Sequence, residues 1–350
     1  MMGKTFGLFP VVFAVATLAP LALFALAIWA GGLWAAAGLI YMTVLAAGLD
    51  RIAAFGTGQA DAPEAAEFPA ADLLLVALAF GAVLLMPATV WALTGSELSL
   101  PAKTALFFGT GLWLGQVANA TAHELIHRGN RWLFRLGAAV YCLLLFGHHT
   151  SAHRLVHHRH AASLDDPNTA RAGEGYYRFF LRAWIGSFAK GWAAETELRA
   201  RGKAGMHPYL VYVMAALACL GMGFAIAGIW GLMAWAALAL HAQAQLMLSD
   251  YVQHYGLMRA RRADGRLEPV GIAHSWNAPQ WFSNAYMLNA PRHSDHHAHP
   301  ARPYPALRLP APEAAPRLPW SLPLACMIAL APPLWRRAIA PRLAAWRKPA

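Results

Sequence analysis

Six stretches of the chain are apolar for about 20 residues, the length a helix needs to cross a bilayer core. They are 6–29, 31–49, 70–94, 103–122, 208–227 and 229–248. The first two meet at Gly31-Gly32, a tight turn, and the last two are joined near Gly228. Polar residues from Asp50 to Glu67 separate the second from the third, and a short loop from Gly95 to Pro101 follows the third. Asp72 lies near one end of its stretch, where it can reach the interface. Two further stretches, 132–147 and 319–335, are short, and Pro319, Pro323, Pro332 and Pro333 punctuate the second. These two read as interfacial or re-entrant. The pattern predicts an all-α integral membrane fold of six transmembrane helices with interfacial helices, one domain over 1–350. The first stretch is long and only Lys4 precedes it, so it reads as a retained span rather than a cleaved signal.

Composition sharpens this picture. Only 13% of residues are charged and 58% are hydrophobic, against about 25% charged in soluble domains. That excludes a disordered chain and argues against an ordinary soluble enzyme. Of the 28 Lys and Arg, 25 fall in 123–207, in 251–318 or in the tail from Arg336. The positive-inside bias assigns 123–207 and 249–350 to the cytoplasm. The net charge of +11 is therefore a topology signal. It fits anionic lipid or an acidic protein partner rather than nucleic acid. Cys142, Cys219 and Cys326 lie far apart with no CxxC pair, so neither a disulfide framework nor a four-thiolate iron site is supported.

Sixteen histidines are many for this composition, and their spacing carries the chemistry. His123 and His127 are spaced i,i+4, which puts both rings on one helical face. They suit one metal cluster, or else they are helix-end residues facing headgroups. His153 and His157 repeat that spacing, and His158 adds an adjacent ring about 100° away, able to serve a second metal or reach round the first. His148, His149 and His160 flank them, and the alternative is a basic surface cluster. His293, His296 and His297 combine i,i+3 and i,i+4 spacings; Asp295 among them could orient a ligand ring through its second nitrogen, and the alternative is a histidine-rich loop. His254 stands alone at the end of a span, where a structural role is the more frequent one. His207 and His241 read as structural, with His241 able to hydrogen-bond a neighbouring helix.

Topology tests whether the groups meet. Four spans precede His123, and two lie between His158 and His254. The stretch 132–147 is too short for a crossing and return. With that stretch kept out of the count, every histidine group falls on the cytoplasmic face.

The series HELIH at 123–127, HRLVHH at 153–158 and RHSDHH at 292–297 resembles the membrane-bound alkane 1-monooxygenases, within the wider membrane fatty-acid desaturase and hydroxylase superfamily. DDPNTAR at 165–171, DYVQHYGLMR at 250–259, HSWN at 274–277 and PPLWRRAIAPRL at 332–343 are similar to the same family. The likeness runs from about 103 to the end; the earlier spans are similar in layout only. It implies a non-haem di-iron site with nine histidine ligands: His123, His127, His153, His157, His158, His254, His293, His296 and His297. It also implies O2-dependent terminal hydroxylation of medium-chain alkanes, with electrons from rubredoxin and rubredoxin reductase, at a bacterial inner membrane. The family usually has Glu and Gly where Ala152 and Val156 stand, Glu where Gln253 stands, and Leu-Gln where Ala290-Pro291 stand.

The chemistry is consistent with these parts. An unactivated C–H bond needs a metal-bound oxidant, and imidazoles hold iron as well as zinc, copper or nickel. The chain has no glycine-rich dinucleotide fingerprint, so its electrons must come from an external carrier. Asp165, Asp166, Asp295 and His274 are candidates for supporting the metal ligands; the acids are equally candidates for capping and loop roles. Trp29, Trp34, Trp91 and Trp113 could line a route for an apolar substrate from lipid, although an interfacial aromatic belt is the preferred reading. The runner-up activity is methyl hydroxylation of alkyl-aromatics of the xylene or cymene type. A fatty-acyl desaturase and a membrane metal transporter follow.

Overall fold

A computed structural model describes residues 9–52, 68–95, 97–202 and 205–347. The start of the first expected span (6–8) and Lys4 lie outside the described residues, as does most of the Asp50–Glu67 stretch. The described chain is helical, with no strand. α1 (Phe9–Ala30) turns at Gly31 into α2 (Gly32–Leu49), and α3 (Pro69–Gly95) follows. α4 runs over 100–126, α5 is Arg131–Leu143, and α6 covers 149–160. α7 (Tyr176–Ala200) precedes the long α8 (Pro208–His254). The short α9 (Trp281–Tyr286), α10 (His293–Ala298) and α11 (Leu322–Ala329) lead to α12 (Pro332–Arg347).

Among the described residues, α1, α2, α3 and α8 are long and apolar enough to cross a membrane. This is a membrane protein. α4 matches the fourth expected span in position, but Gln116, Asn119 and Thr121 make it less apolar. α8 covers the fifth and sixth expected spans and reverses between them. Ala227 and Gly228 have non-helical dihedrals, with φ +56° at Gly228, a conformation glycine adopts at no steric cost. A Cβ on Gly231 would strike the Gly223 carbonyl. The two arms of α8 are thus in backbone contact, which a straight helix would forbid.

One end of the bundle gathers the polar chemistry. At that end Asp72 of α3 pairs with Arg128 at 3.1 Å, just past α4. There too Phe13 of α1 packs edge-on to Tyr304, and Asp50 after α2 accepts the backbone N–H of Phe282 and Ser283. The opposite end exposes Trp29 and Trp34 around the Gly31 turn, Trp91 near the end of α3, and Trp230 at the α8 reversal. A 22-residue helix such as α1 is about 33 Å long at 1.5 Å per residue, so the two ends stand a bilayer apart. Exposed tryptophans at one level are what an interfacial belt presents. Trp113 is the exception to both readings of the tryptophans. It is fully buried, and its Nε1 donates to the Thr17 carbonyl at 3.0 Å, tying α4 to α1.

The two short stretches resolve into amphipathic or broken helices. α5 has 13 residues, too few to cross, and Asn130 caps it by accepting from Trp132 N at 2.8 Å. The 319–335 stretch breaks after Ala329 and restarts at Pro332, where a proline is tolerated at a helix start. His207 caps α8 by accepting from Tyr209 N. His241 lies against Phe107 and Phe108 of α4, and its Nδ1 has no hydrogen-bond partner, so ring packing replaces the expected interhelical hydrogen bond.

Candidate metal centre

Two groups of histidines meet at the polar end, each with ligand atoms within 4.8 Å of one another. His123, His127, His153, His158 and His296 form one. His157, His254, His293 and His297 form the other. All nine histidines named from the sequence are in these groups. The groups abut: the His158 and His297 ring centroids are 4.8 Å apart.

Local backbone geometry divides the rings. His123 and His127 end α4 on one face, as their spacing expects. The second box departs from regular helix. Residues His153–His157 form a π-turn, in which i and i+5 pair rather than i and i+4. His153 therefore shares its group with His158, their Nε2 atoms 2.9 Å apart, and His157 turns to the other group. The expected i,i+4 pairing of His153 with His157 is corrected on this account. In α10 the i,i+4 pair His293 and His297 stays together at 3.0 Å, and His296 reaches His158 at 3.2 Å. His254, the last residue of α8, meets His293 at 2.9 Å. The glycine after it is fixed by geometry. Gly256 has φ +72° and a Cβ there would strike Leu343, while its N–H donates to Ala170 O at 2.9 Å.

The donor set fits a metal. The Nε2 atoms face one another at 2.9–3.2 Å. With metal–imidazole bonds of about 2.1 Å, adjacent ligands of an octahedral ion stand about 3 Å apart. His127 Nε2 and His157 Nε2 are buried with no hydrogen-bond partner, a cost that a shared cation removes. Burial also keeps the rings neutral, the form that binds metal. It pushes His123 down to about 3, helped by repulsion from His157. It holds His127, His153, His158, His293, His296 and His297 well below their ordinary range, with mutual repulsion adding to it.

His157 behaves differently. Burial pulls its pKa down, but the Asp166 charge and hydrogen bond outweigh it, and the net shift is upward. Asp166 Oδ2 accepts from His157 Nδ1 at 2.9 Å and from Thr169 Oγ1 at 2.7 Å, and Oδ1 accepts from Asn168 N. Asp166 itself is held low by His157 despite its burial. A carboxylate on the far nitrogen fixes the ring and raises its basicity toward a metal.

The other candidates fall elsewhere. Asp165 is exposed. Asp295 binds Arg302 with both oxygens (2.5 and 2.6 Å) and also meets His299 Nδ1 and Arg308 N. It thus braces the following loop instead of a cluster ring. His274 pairs with Glu268 at 3.0 Å rather than with a cluster ring; the group beside His254 Nδ1 is the Ser275 hydroxyl, at 3.5 Å. Gln253 Oε1 accepts a hydrogen bond from Ser249 Oγ, and its Nε2 donates to Ala290 O. Ala152 packs against Gly191 of α7, and Val156 is buried.

Three supporting residues had no assigned role in the sequence. Asp250 is buried and accepts from Asn168 Nδ2 at 2.7 Å, which links the end of α8 to the Asp166 turn. Glu124 accepts the Tyr304 N–H at 3.0 Å, and burial lifts its carboxyl to about 7 against the pull of Arg128. Asn277 accepts from both N and Oγ of Ser294, fixing the start of α10. All three stand inside the motifs that carry the family resemblance, yet only the folded chain shows what they hold.

A pH dependence follows for the metal-free protein. The histidines are neutral when folded, with His123 near 3 against an ordinary 6.5. The unfolded chain therefore takes up protons first as pH falls. The stability these rings contribute is complete above about pH 6.5 and is lost progressively below it. Each costs roughly 1 kcal/mol per pH unit in that window. His157, shifted upward, contributes stability that is complete below about pH 6.5 and lost as pH rises above it, so it does not offset this fall. The thermal midpoint in detergent should fall steeply between about pH 7 and pH 5, and a flat profile would contradict this.

Comparison with known proteins agrees with the site. Residues 97–326 match the fatty acid desaturase family. The alkane 1-monooxygenase 2 of Pseudomonas aeruginosa is 30% identical over 278 residues, 78% of this chain and 71% of that protein. The chain belongs to the alkane 1-monooxygenase branch of this family. The alkane 1-monooxygenase 1 of the same organism is 32% identical over 241 residues, 67% of this chain and 62% of its own length. That of Ectopseudomonas oleovorans is 34% identical over 254 residues, 69% and 61% respectively. The matched stretches thus span from about three fifths to seven tenths of these relatives. The family match, residues 97–326, contains all nine histidines of the two groups.

Proposed function

We propose that this protein is an O2-dependent hydroxylase that converts medium-chain n-alkanes to 1-alkanols, with one iron in each histidine group. The observation that carries this reading is the pair of abutting histidine groups, five rings and four. In this reading six helical segments span a bacterial inner membrane, namely α1 to α4 and the two arms of α8. The histidine end faces the cytoplasm, in keeping with the 25 of 28 basic residues carried by the segments there. Rubredoxin, reduced by rubredoxin reductase, delivers electrons to that basic face, and the attraction weakens as salt rises.

A bound iron pair supplies the oxygen-activating chemistry that no side chain can. The chain's own residues do the rest. Nine rings hold the metals, and the Asp166 carboxylate orients His157 and takes its Nδ1 proton in hydrogen bond. The Asn168–Asp250 bond locks the end of α8, and with it His254, against the Asp166 turn. His157, His254, His293 and His297 are all buried, which keeps bulk water from that half of the centre, while His123, His127 and His158 of the other group are half-buried.

The test is octane oxidation under 18O2 with rubredoxin and its reductase, wild type beside His296→Ala. Labelled 1-octanol is expected from wild type, with at least a hundred-fold loss in the variant (about 2.7 kcal/mol in barrier). Oxidation of xylene without octane product would move the substrate to alkyl-aromatics. No oxygenated product from either would refute the reading.

A further inference from the structure

α7 lies within a segment that charge assigns to the cytoplasm, yet it carries an exposed apolar stripe. Tyr177, Leu181, Trp184, Ile185, Phe188 and Trp192 are each 40–61% exposed. At 100° per residue they occupy one arc of about 100° along more than four turns. Phe179, Ala183, Ser187 and Gly191 form the separate buried face, against α6 and α8. A water-facing helix of a soluble domain would carry polar residues on that arc.

The place of α7 in the fold explains the stripe. The Tyr209 hydroxyl in the first turn of α8 donates to Phe188 O at 3.0 Å. Trp184 Nε1 donates to Gln243 Oε1 at 2.9 Å, and the Tyr176 hydroxyl to Ala244 O at 2.6 Å, both on the returning arm. α7 therefore crosses the open end of the α8 hairpin. Gln243 lies five residues inside the expected span 229–248, about 8 Å at 1.5 Å per residue. The stripe also joins two other exposed apolar surfaces. Leu210, Met214 and Leu217 of α8 continue it at one end. At the other the Tyr177 hydroxyl donates to Leu330 O, beside exposed Met327 and Leu334.

We propose that α7 is an in-plane helix, its Tyr177–Trp192 stripe seated in the headgroup–acyl boundary of the leaflet on the histidine side. Three observations select lipid as the occupant. The stripe is continuous with the outward surface of the spans, its depth of about 8 Å suits interfacial burial, and its aromatics are of the interfacial kind. Residues 176–201 carry five Lys or Arg against two Glu, which favours anionic headgroups. With its other face roofing the second histidine box, α7 brings the lipid boundary next to the metal centre. The inference rests on the membrane reading above.

The test uses nitroxide labels on the full chain with Cys142, Cys219 and Cys326 replaced by alanine. The protein is loaded with iron and placed in nanodiscs of phosphatidylcholine and phosphatidylglycerol. Ile185→Cys and Leu181→Cys report the stripe, Glu197→Cys reports water, and Leu217→Cys reports the span. The oxygen-to-nickel-chelate collision ratio at 181 and 185 is expected several-fold above that at 197 and below that at 217. Ratios at 181 and 185 equal to 197, with 217 in lipid, overturn the proposal. Protection of 181 and 185 from both reagents also overturns it, since a second copy or a carrier protein then covers the stripe. A water-like ratio at 217 defeats the membrane reading itself.

Discussion

Asp166→Asn is expected to weaken iron binding in the four-histidine group by roughly 10–100-fold while the five-histidine group stays loaded. Asparagine keeps the shape of the side chain but removes the charge that holds His157 oriented. The one carboxamide oxygen can still accept from Asn168 N, so the turn persists, while an NH2 group replaces the oxygen that faces His157 and Thr169. Anaerobic iron titration of the purified variant should show one site of near-wild-type affinity and one weakened. Equal weakening of both would mean that Asp166 supports the fold around the cluster. The same titration on Asp295→Asn provides contrast, because Asp295 pairs with Arg302 and His299 rather than a cluster ring. Its iron affinities should stay within a few-fold of wild type.

A pair of double variants is expected to distribute the loss of iron differently between the two groups. His153→Ala with His158→Ala removes two rings from the five-histidine group and none from the other, so one iron per chain should remain. His153→Ala with His157→Ala removes one ring from each group, leaving four in the larger and three in the smaller, so the loss of affinity should be shared between the two sites instead of emptying the five-histidine one. The difference comes from the π-turn at His153–His157. A regular helix would put His153 and His157 together and reverse the two results. Both double variants should lose alkanol formation, so metal content rather than activity is the readout that decides.

The sequence exposed much of this architecture because its signals are local. Apolar length marks the spans, glycines mark the reversals at Gly31 and Gly228, and the histidine spacings mark the rings that converge. The hairpin of α8 was legible from Gly228, and the shortness of 132–147 kept α5 out of the crossings. What the spacing did not reveal depends on backbone detail and on long-range partners. The π-turn arises in a stretch whose letters read as ordinary helix, so the division of His157 from His153 was not legible. Asp295, which sits between histidines, and Asp166 stood as equal candidates in the sequence. On α10, however, Asp295 points to Arg302, whereas Asp166 reaches back to His157, nine positions earlier in the chain. Trp113 resembled a belt or tunnel residue until α1 closed over it. The exposed stripe of α7 was hidden because charged residues interleave with it in sequence and separate from it only on the folded helix.

Iron K-edge X-ray absorption, with metal analysis on the same anaerobically reduced protein, tests the central claim most directly. The account predicts two irons per chain, each in a shell dominated by imidazole nitrogen, and loss of one iron's worth of that shell in Asp166→Asn at limiting metal. A single metal per chain, zinc in place of iron, or a sulfur-containing shell would contradict it.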